Sequence, residues 1–171
     1  MKKIFLVAAI VATSIFSSCT GPEGPRGVAG PDAEVFELRN VDFSLDSNNE
    51  YTIYEELNPQ ILLSDTILIY RLSGTIDSQT PIWQQIPRTL YLTGGELDYD
   101  FDFSKVDFTI YAGGTYPLTA SSSYINNQTF RIVIIPGYLS NKGTKPTVNF
   151  EDYNAVVKAY HIDESKIKTL N

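Results

Sequence analysis

One cysteine, one histidine and one tryptophan are all the chain carries of three chemically versatile residue types. A single Cys closes no internal disulfide, and a single His builds neither a multi-histidine metal site nor a histidine relay. Basic residues are scarce as well: thirteen Lys and Arg stand against twenty Asp and Glu, for a net charge of −7. So acidic a surface repels phosphate backbones, and no basic stripe interrupts it, which sets nucleic acid aside as a partner. A long hydrophobic run is also missing. The longest, residues 4–16, is interrupted by Thr13 and Ser14. As a helix it reaches about 20 Å, short of the roughly 30 Å hydrocarbon core.

What is present suffices for a folded domain. Hydrophobic residues make up 43% of the 171 and aromatics 12%. That composition can bury a core, and the length suits one domain. Lys2 and Lys3 precede the apolar run of residues 4–16, the charge order of a secretory signal. Behind it come Phe16, Ser17, Ser18 and Cys19. This quartet resembles the bacterial lipobox, in which a diacylglycerol is attached to the cysteine that becomes the first mature residue. Residues 1–18 then form a lipoprotein signal peptide, and Cys19 carries covalent acyl lipid in place of any cofactor. An ordinary cleaved signal followed by an incidental Cys is the alternative. Each buried CH₂ contributes about 0.8 kcal/mol, so two or three acyl chains hold a domain durably on a bilayer. Loss of Lys2 and Lys3, with no acidic residue, takes the net charge from −7 to −9.

After Thr20, glycine recurs at positions 21, 24, 27 and 30, with Pro22, Pro25 and Pro31 behind three of them. Residues 19–32 thus read as the lipidated Cys plus a collagen-like tether. As a lone polyproline-II spacer at about 3.1 Å per residue it lifts the domain roughly 40 Å from the membrane. Glycine at every third place also suits the axis of a triple helix, which leaves a homotrimer open. Lipobox, Gly-Pro-X triplets and an aromatic-rich β domain together resemble the short collagen-like lipoproteins of Bacteroidota. Residues 81–84 (PIWQ), 99–103 (YDFDF) and 130–137 (FRIVIIPG) are similar to that family's ectodomain. The resemblance implies a lipid-anchored cell-envelope protein, expected at the outer membrane, with no assigned activity.

From residue 33 the apolar residues recur with period two. Val35, Phe36 and Leu38 lead to Val41, Phe43 and Leu45, with a parity switch between Leu38 and Val41 that predicts a bulge. Residues 66–72 are apolar on both faces and predict a covered strand. Residues 82–92 and 96–103 flank Thr93, Gly94 and Gly95, a hairpin signal, while Pro87 predicts an edge or a bulge in the first arm. Residues 106–112 and 129–135 add strands. The expectation is an all-β fold over residues 33–171, an antiparallel β-sandwich of seven to nine strands. Near the end the period changes: Tyr153, Val156, Val157 and Tyr160 share a helical face, which predicts a C-terminal helix within about 149–170, capped by Asn149.

No catalytic constellation appears. His161 lies near Asp163 and Glu164, without a nucleophile elbow or a second histidine, and reads as a helix-end residue. Asp98, Asp100 and Asp102 share one strand face, but successive same-face residues stand about 7 Å apart and splay their carboxylates, so they read as a solvated face and no metal site is expected. Trp83 and Tyr91 have one strand parity and Ile82, Ile86, Leu90 and Leu92 the other. An unbroken arm would present the two rings as a glycan-stacking platform, whereas a break at Pro87 or a covering layer would bury Trp83. The sequence Asp65-Thr66-Ile67 resembles a Bacteroidota O-glycosylation motif, making Thr66 a candidate. The expected function is a non-catalytic structural or interaction role at the envelope. The alternative is a glycan-binding module for polysaccharide capture, and the expected partners are the membrane and a glycan or envelope protein.

Overall fold

The computed structural model describes residues 33–137 and 147–170. The expected signal peptide, Cys19 and the expected tether lie outside the described residues. The fold is the expected all-β sandwich, made of two five-stranded sheets. The first has the order β10-β1-β9-β4-β5 and the second β2-β3-β8-β7-β6. The first sheet contains β1 (Glu34–Val41), β4 (Thr66–Asp77), β5 (Thr80–Ile86), β9 (Gln128–Ile135) and β10 (Lys168–Leu170). The second contains β2 (Ser44–Leu45), β3 (Tyr51–Glu56), β6 (Arg88–Leu92), β7 (Gly95–Phe103) and β8 (Asp107–Gly114). All pairings are antiparallel except β1 with β10.

Alternation explains the layers. Leu38, Ile67, Ile69, Phe130 and Ile132 point from the first sheet onto Ile53, Leu97, Tyr99, Phe108 and Ile110 of the second, forming the main core. The predicted bulge is there: the β1–β9 register shifts between Leu38 and Val41, with Asn40 at φ 56°. Leu68, Tyr70, Val133 and Ile135 have the opposite parity and form a second cluster with Tyr153 and Val156 of the only α-helix among the described residues, α1 (Tyr153–Ala159). That cover is why β4 and β9 are apolar on both faces.

The C-terminal segment differs from the expected helix in extent. Asp152, one turn after the expected cap Asn149, accepts hydrogen bonds from the Asn154 and Ala155 N–H groups. Asn149 instead accepts from the Glu151 N–H in a local turn. The helix stops after two turns because His161 adopts φ 53° and the Ile162 N–H bonds back to the Val157 carbonyl, a left-handed C-terminal cap. A 3₁₀ turn at Glu164–Lys166 follows, and then β10 extends beside β1.

Pro87, where an edge or a bulge was expected, divides residues 82–92 into two strands. The chain leaves the first sheet at Ile86 and enters the second at Arg88, so β5 and β6 are edge strands of different sheets. The edge placement agrees with a residue that lacks an N–H donor. The sandwich has two distinct ends. At the entry end β1 begins, and Thr66, the β7–β8 turn and Ile135 gather there. The far end holds the β2–β3, β4–β5 and β6–β7 turns and the 3₁₀ segment Leu118–Tyr124.

Candidate functional site

The two sheets treat their outer faces differently. Helix α1 covers the first sheet, and charge as well as apolar packing fixes it there. Arg131 donates to Glu37 Oε1 through Nε (2.9 Å) and Nη2 (2.5 Å), and to Glu164 Oε1 through Nη1 (2.7 Å). Its guanidinium lies between the rings of Trp83, at 4.2 Å, and Tyr153, at 4.7 Å. Burial opposes the charge of Arg131 more than any one contact favours it, but the hydrogen bonds and charges of Glu37 and Tyr153 together outweigh burial and raise the pKa. Burial likewise pushes the Tyr153 hydroxyl up to about 12.

No described element covers the outer face of the second sheet. Registers place Tyr54 beside Thr109 and Asp102, then Thr52 beside Tyr111 and Asp100. On the β6 edge Tyr91 stands opposite Glu96, and Thr89 opposite Asp98. Six carboxylates share this face, those of Glu56, Glu96, Asp98, Asp100, Asp102 and Asp107, and no Lys or Arg has the same parity on its strands. The hydroxyl of Tyr111 donates to Asp102 Oδ2 (3.0 Å) and that of Tyr54 to Asp107 Oδ2 (3.3 Å). Both phenols are raised above their ordinary pKa, by partial desolvation first and then by these carboxylates. They therefore stay protonated and donate at neutral pH.

At the far end this face sinks into a hollow of about 510 Å³. Gly113 makes the depression: it pairs with Asp98 across β7, and a Cβ built on it meets nothing within 4 Å. Around it stand Glu50, Asp98, Asp100, Tyr111 and Tyr116. Rings at the rim with carboxylate acceptors and phenol donors suit a polar, hydroxyl-rich ligand that stacks one face on an aromatic.

Trp83 and Tyr91 are not brought together. Tyr91 projects from the second sheet with 81% of its surface exposed. Trp83 faces away from the main core, as its parity predicts, but lies on the first sheet under α1, with its ring centroid 6.0 Å from that of Tyr153. Its Nε1 is buried without a hydrogen-bond partner. The shared platform is thus replaced by two separate environments, because the chain changes sheets at Pro87. Thr66 is exposed at the start of β4, while the neighbouring Asp65 carboxylate accepts from the Leu62 and Gly137 N–H groups. Asp98, Asp100 and Asp102 share the open face as expected, and no group of three His, Cys, Asp or Glu among the described residues is placed to hold a metal ion. His161 is the exposed residue that ends α1.

Tyr54, Tyr111 and Gly113 were not singled out from the sequence. The signal was present in the alternation of β8, where Tyr111 has the parity opposite to Phe108 and Ile110. What the sequence lacked was the pairing that sets Tyr111 beside Asp100. No family model, curated protein or solved structure matches the chain.

Proposed function

We propose that the protein is a lipid-anchored component of the cell envelope that acts without catalysis, as an interaction module presenting the open face of its second sheet. The observation carrying this reading is the contrast between the two outer faces: one sealed by α1, the other bare, acidic and set with Tyr54, Tyr91 and Tyr111. The lipobox-like residues 16–19 and the Gly-Pro-X tether support the anchor, and the resemblance to short collagen-like lipoproteins supports the outer membrane. The chain enters at the end opposite the Gly113 hollow, so an anchored domain would hold that hollow away from the bilayer. Three tethers joined through their triplets would present three such faces. Cell fractionation tests the anchor: the protein should be membrane-bound with acyl mass on Cys19, and Cys19→Ala should leave it soluble. Membrane release that is unaffected by the substitution would refute the anchor.

The hollow at Gly113 favours a second reading, capture of polysaccharide. A panel of polysaccharides presented to the mature protein should then show binding that Tyr111→Ala and Gly113→Val both weaken, with the fold intact by circular dichroism. Binding to no glycan would leave a protein partner for the face.

A further inference from the structure

The entry end carries a surface that the open face does not explain. Between β3 and β4 the chain forms a loop whose tip exposes two consecutive leucines, Leu62 at 68% and Leu63 at 92%. Exposed single leucines are ordinary, but an adjacent pair on a held scaffold is an apolar tip. The loop is held at both sides: the Leu57 and Ile61 N–H groups bond to the carbonyls of Val106 and Lys105, and Ile61 packs against the core. Asp65 is turned inward, with Oδ2 accepting from the Leu62 N–H and Oδ1 from the Gly137 N–H. The one carboxylate within the tip is therefore occupied by backbone donors. Lys105 is the loop's immediate neighbour, and the adjoining groove carries Lys166 and Lys168 among Glu34, Glu55, Glu56 and Asp163.

We infer that Leu62 and Leu63 form a membrane-docking tip that rests the entry end of the sandwich on the lipid surface. The occupant is a bilayer because of where the tip lies. Residue 33, where the described chain begins, lines the same groove as the start of this loop at Leu57, Asn58 and Pro59. Only thirteen residues separate residue 33 from Cys19. The inference rests on the anchor reading, since the lipid on Cys19 is what brings this end to a bilayer. The Gly113 hollow, at the opposite end, then points outward.

The test uses the mature, acylated protein. Its only native thiol is consumed by the lipid, so Leu63→Cys introduces one reactive site for an environment-sensitive fluorophore, and Ile76→Cys, 75% exposed near the far end, serves as the reference. The proteins are reconstituted in phosphatidylethanolamine and phosphatidylglycerol vesicles with or without nitroxide-labelled acyl chains. The expected result is a blue-shifted emission at position 63 that loses most of its intensity to the nitroxide lipid, with position 76 water-like and unquenched. Protein that floats with the vesicles while position 63 remains unquenched overturns the docking tip and leaves the anchor standing. Protein that does not float overturns both. A blue shift at position 63 without nitroxide quenching also overturns the tip, because it reports a protein cover, from a second copy or from residues 138–146.

Discussion

Replacement of Arg131 by alanine should be among the most damaging single changes in the domain, because it strips Glu37 of its principal partner. Glu37 is 2% exposed and accepts two hydrogen bonds from Arg131, and only Arg39 remains on its other oxygen. Removing one member of a buried ion pair costs about 3–5 kcal/mol, chiefly for the stranded charge. The surviving Arg39 contact places the expectation near the lower limit, about 3 kcal/mol. The lost Glu164 contact adds little, because that carboxylate is half exposed and surface pairs contribute about 0–1 kcal/mol. The double replacement Glu37→Met with Arg131→Met should recover most of the loss, since apolar side chains of similar volume leave no stranded charge. Urea unfolding reports both variants. Emission of Trp83, the only tryptophan, senses the guanidinium stacked on its ring, and circular dichroism senses the sheets. A cost below about 1 kcal/mol for Arg131→Ala, or a double variant no better than the single one, would refute the assignment of Glu37 and Arg131 as a buried charge pair joining β1 to β9.

Three further outcomes follow from the geometry. Gly113→Val should fill the far-end hollow without loss of stability, because nothing lies within 4 Å of its Cβ position, whereas Gly114→Ala should destabilise, because its Cβ would stand 2.7 Å from the Glu96 carbonyl and 2.9 Å from Leu118; thermal melts of the two separate these cases. Asp152→Ala should cost about 1 kcal/mol by removing the α1 cap, and Asn149→Ala much less, as read from denaturant midpoints. Tyr99 and Tyr153 are pushed up to about 12 by burial, against an ordinary value of 10.0. Their native pKa lies above the unfolded one, so the native state keeps its full stability below pH 10 and loses it as pH rises from 10 toward 12. Tyrosinate absorbance should then show a component that appears only together with loss of the dichroism, and complete ionisation of all eleven tyrosines in a native protein would contradict it.

The sandwich was legible because its cause is written locally. Period-two alternation, the Gly-rich hairpin turn and the parity switch after Leu38 each correspond to an observed strand, turn or bulge. The double-faced apolar character of residues 66–72 announced a cover, and α1 supplies it. Long-range choices were not legible. Pro87 announced an edge, yet nothing nearby says that the chain changes sheets there, and that single move separates Trp83 from Tyr91. The cap at Asp152 was missed because Asn149 and Asp152 are both competent acceptors, and the competition is settled by where Tyr153 docks on Tyr70. The open face needed the β7–β8 register, which links Tyr111 to Asp100 and Gly113 to Asp98.

The most direct test of the proposed role is photo-crosslinking in the intact envelope, from a benzophenone side chain placed at position 111 on the open face and, in a separate strain, at the exposed position 158 on α1. The account predicts a discrete adduct from position 111, weakened by Gly113→Val, and none of the same size from position 158. Equal adducts from the two positions, or adducts from position 158 alone, would contradict the assignment of the second sheet's open face as the interaction surface.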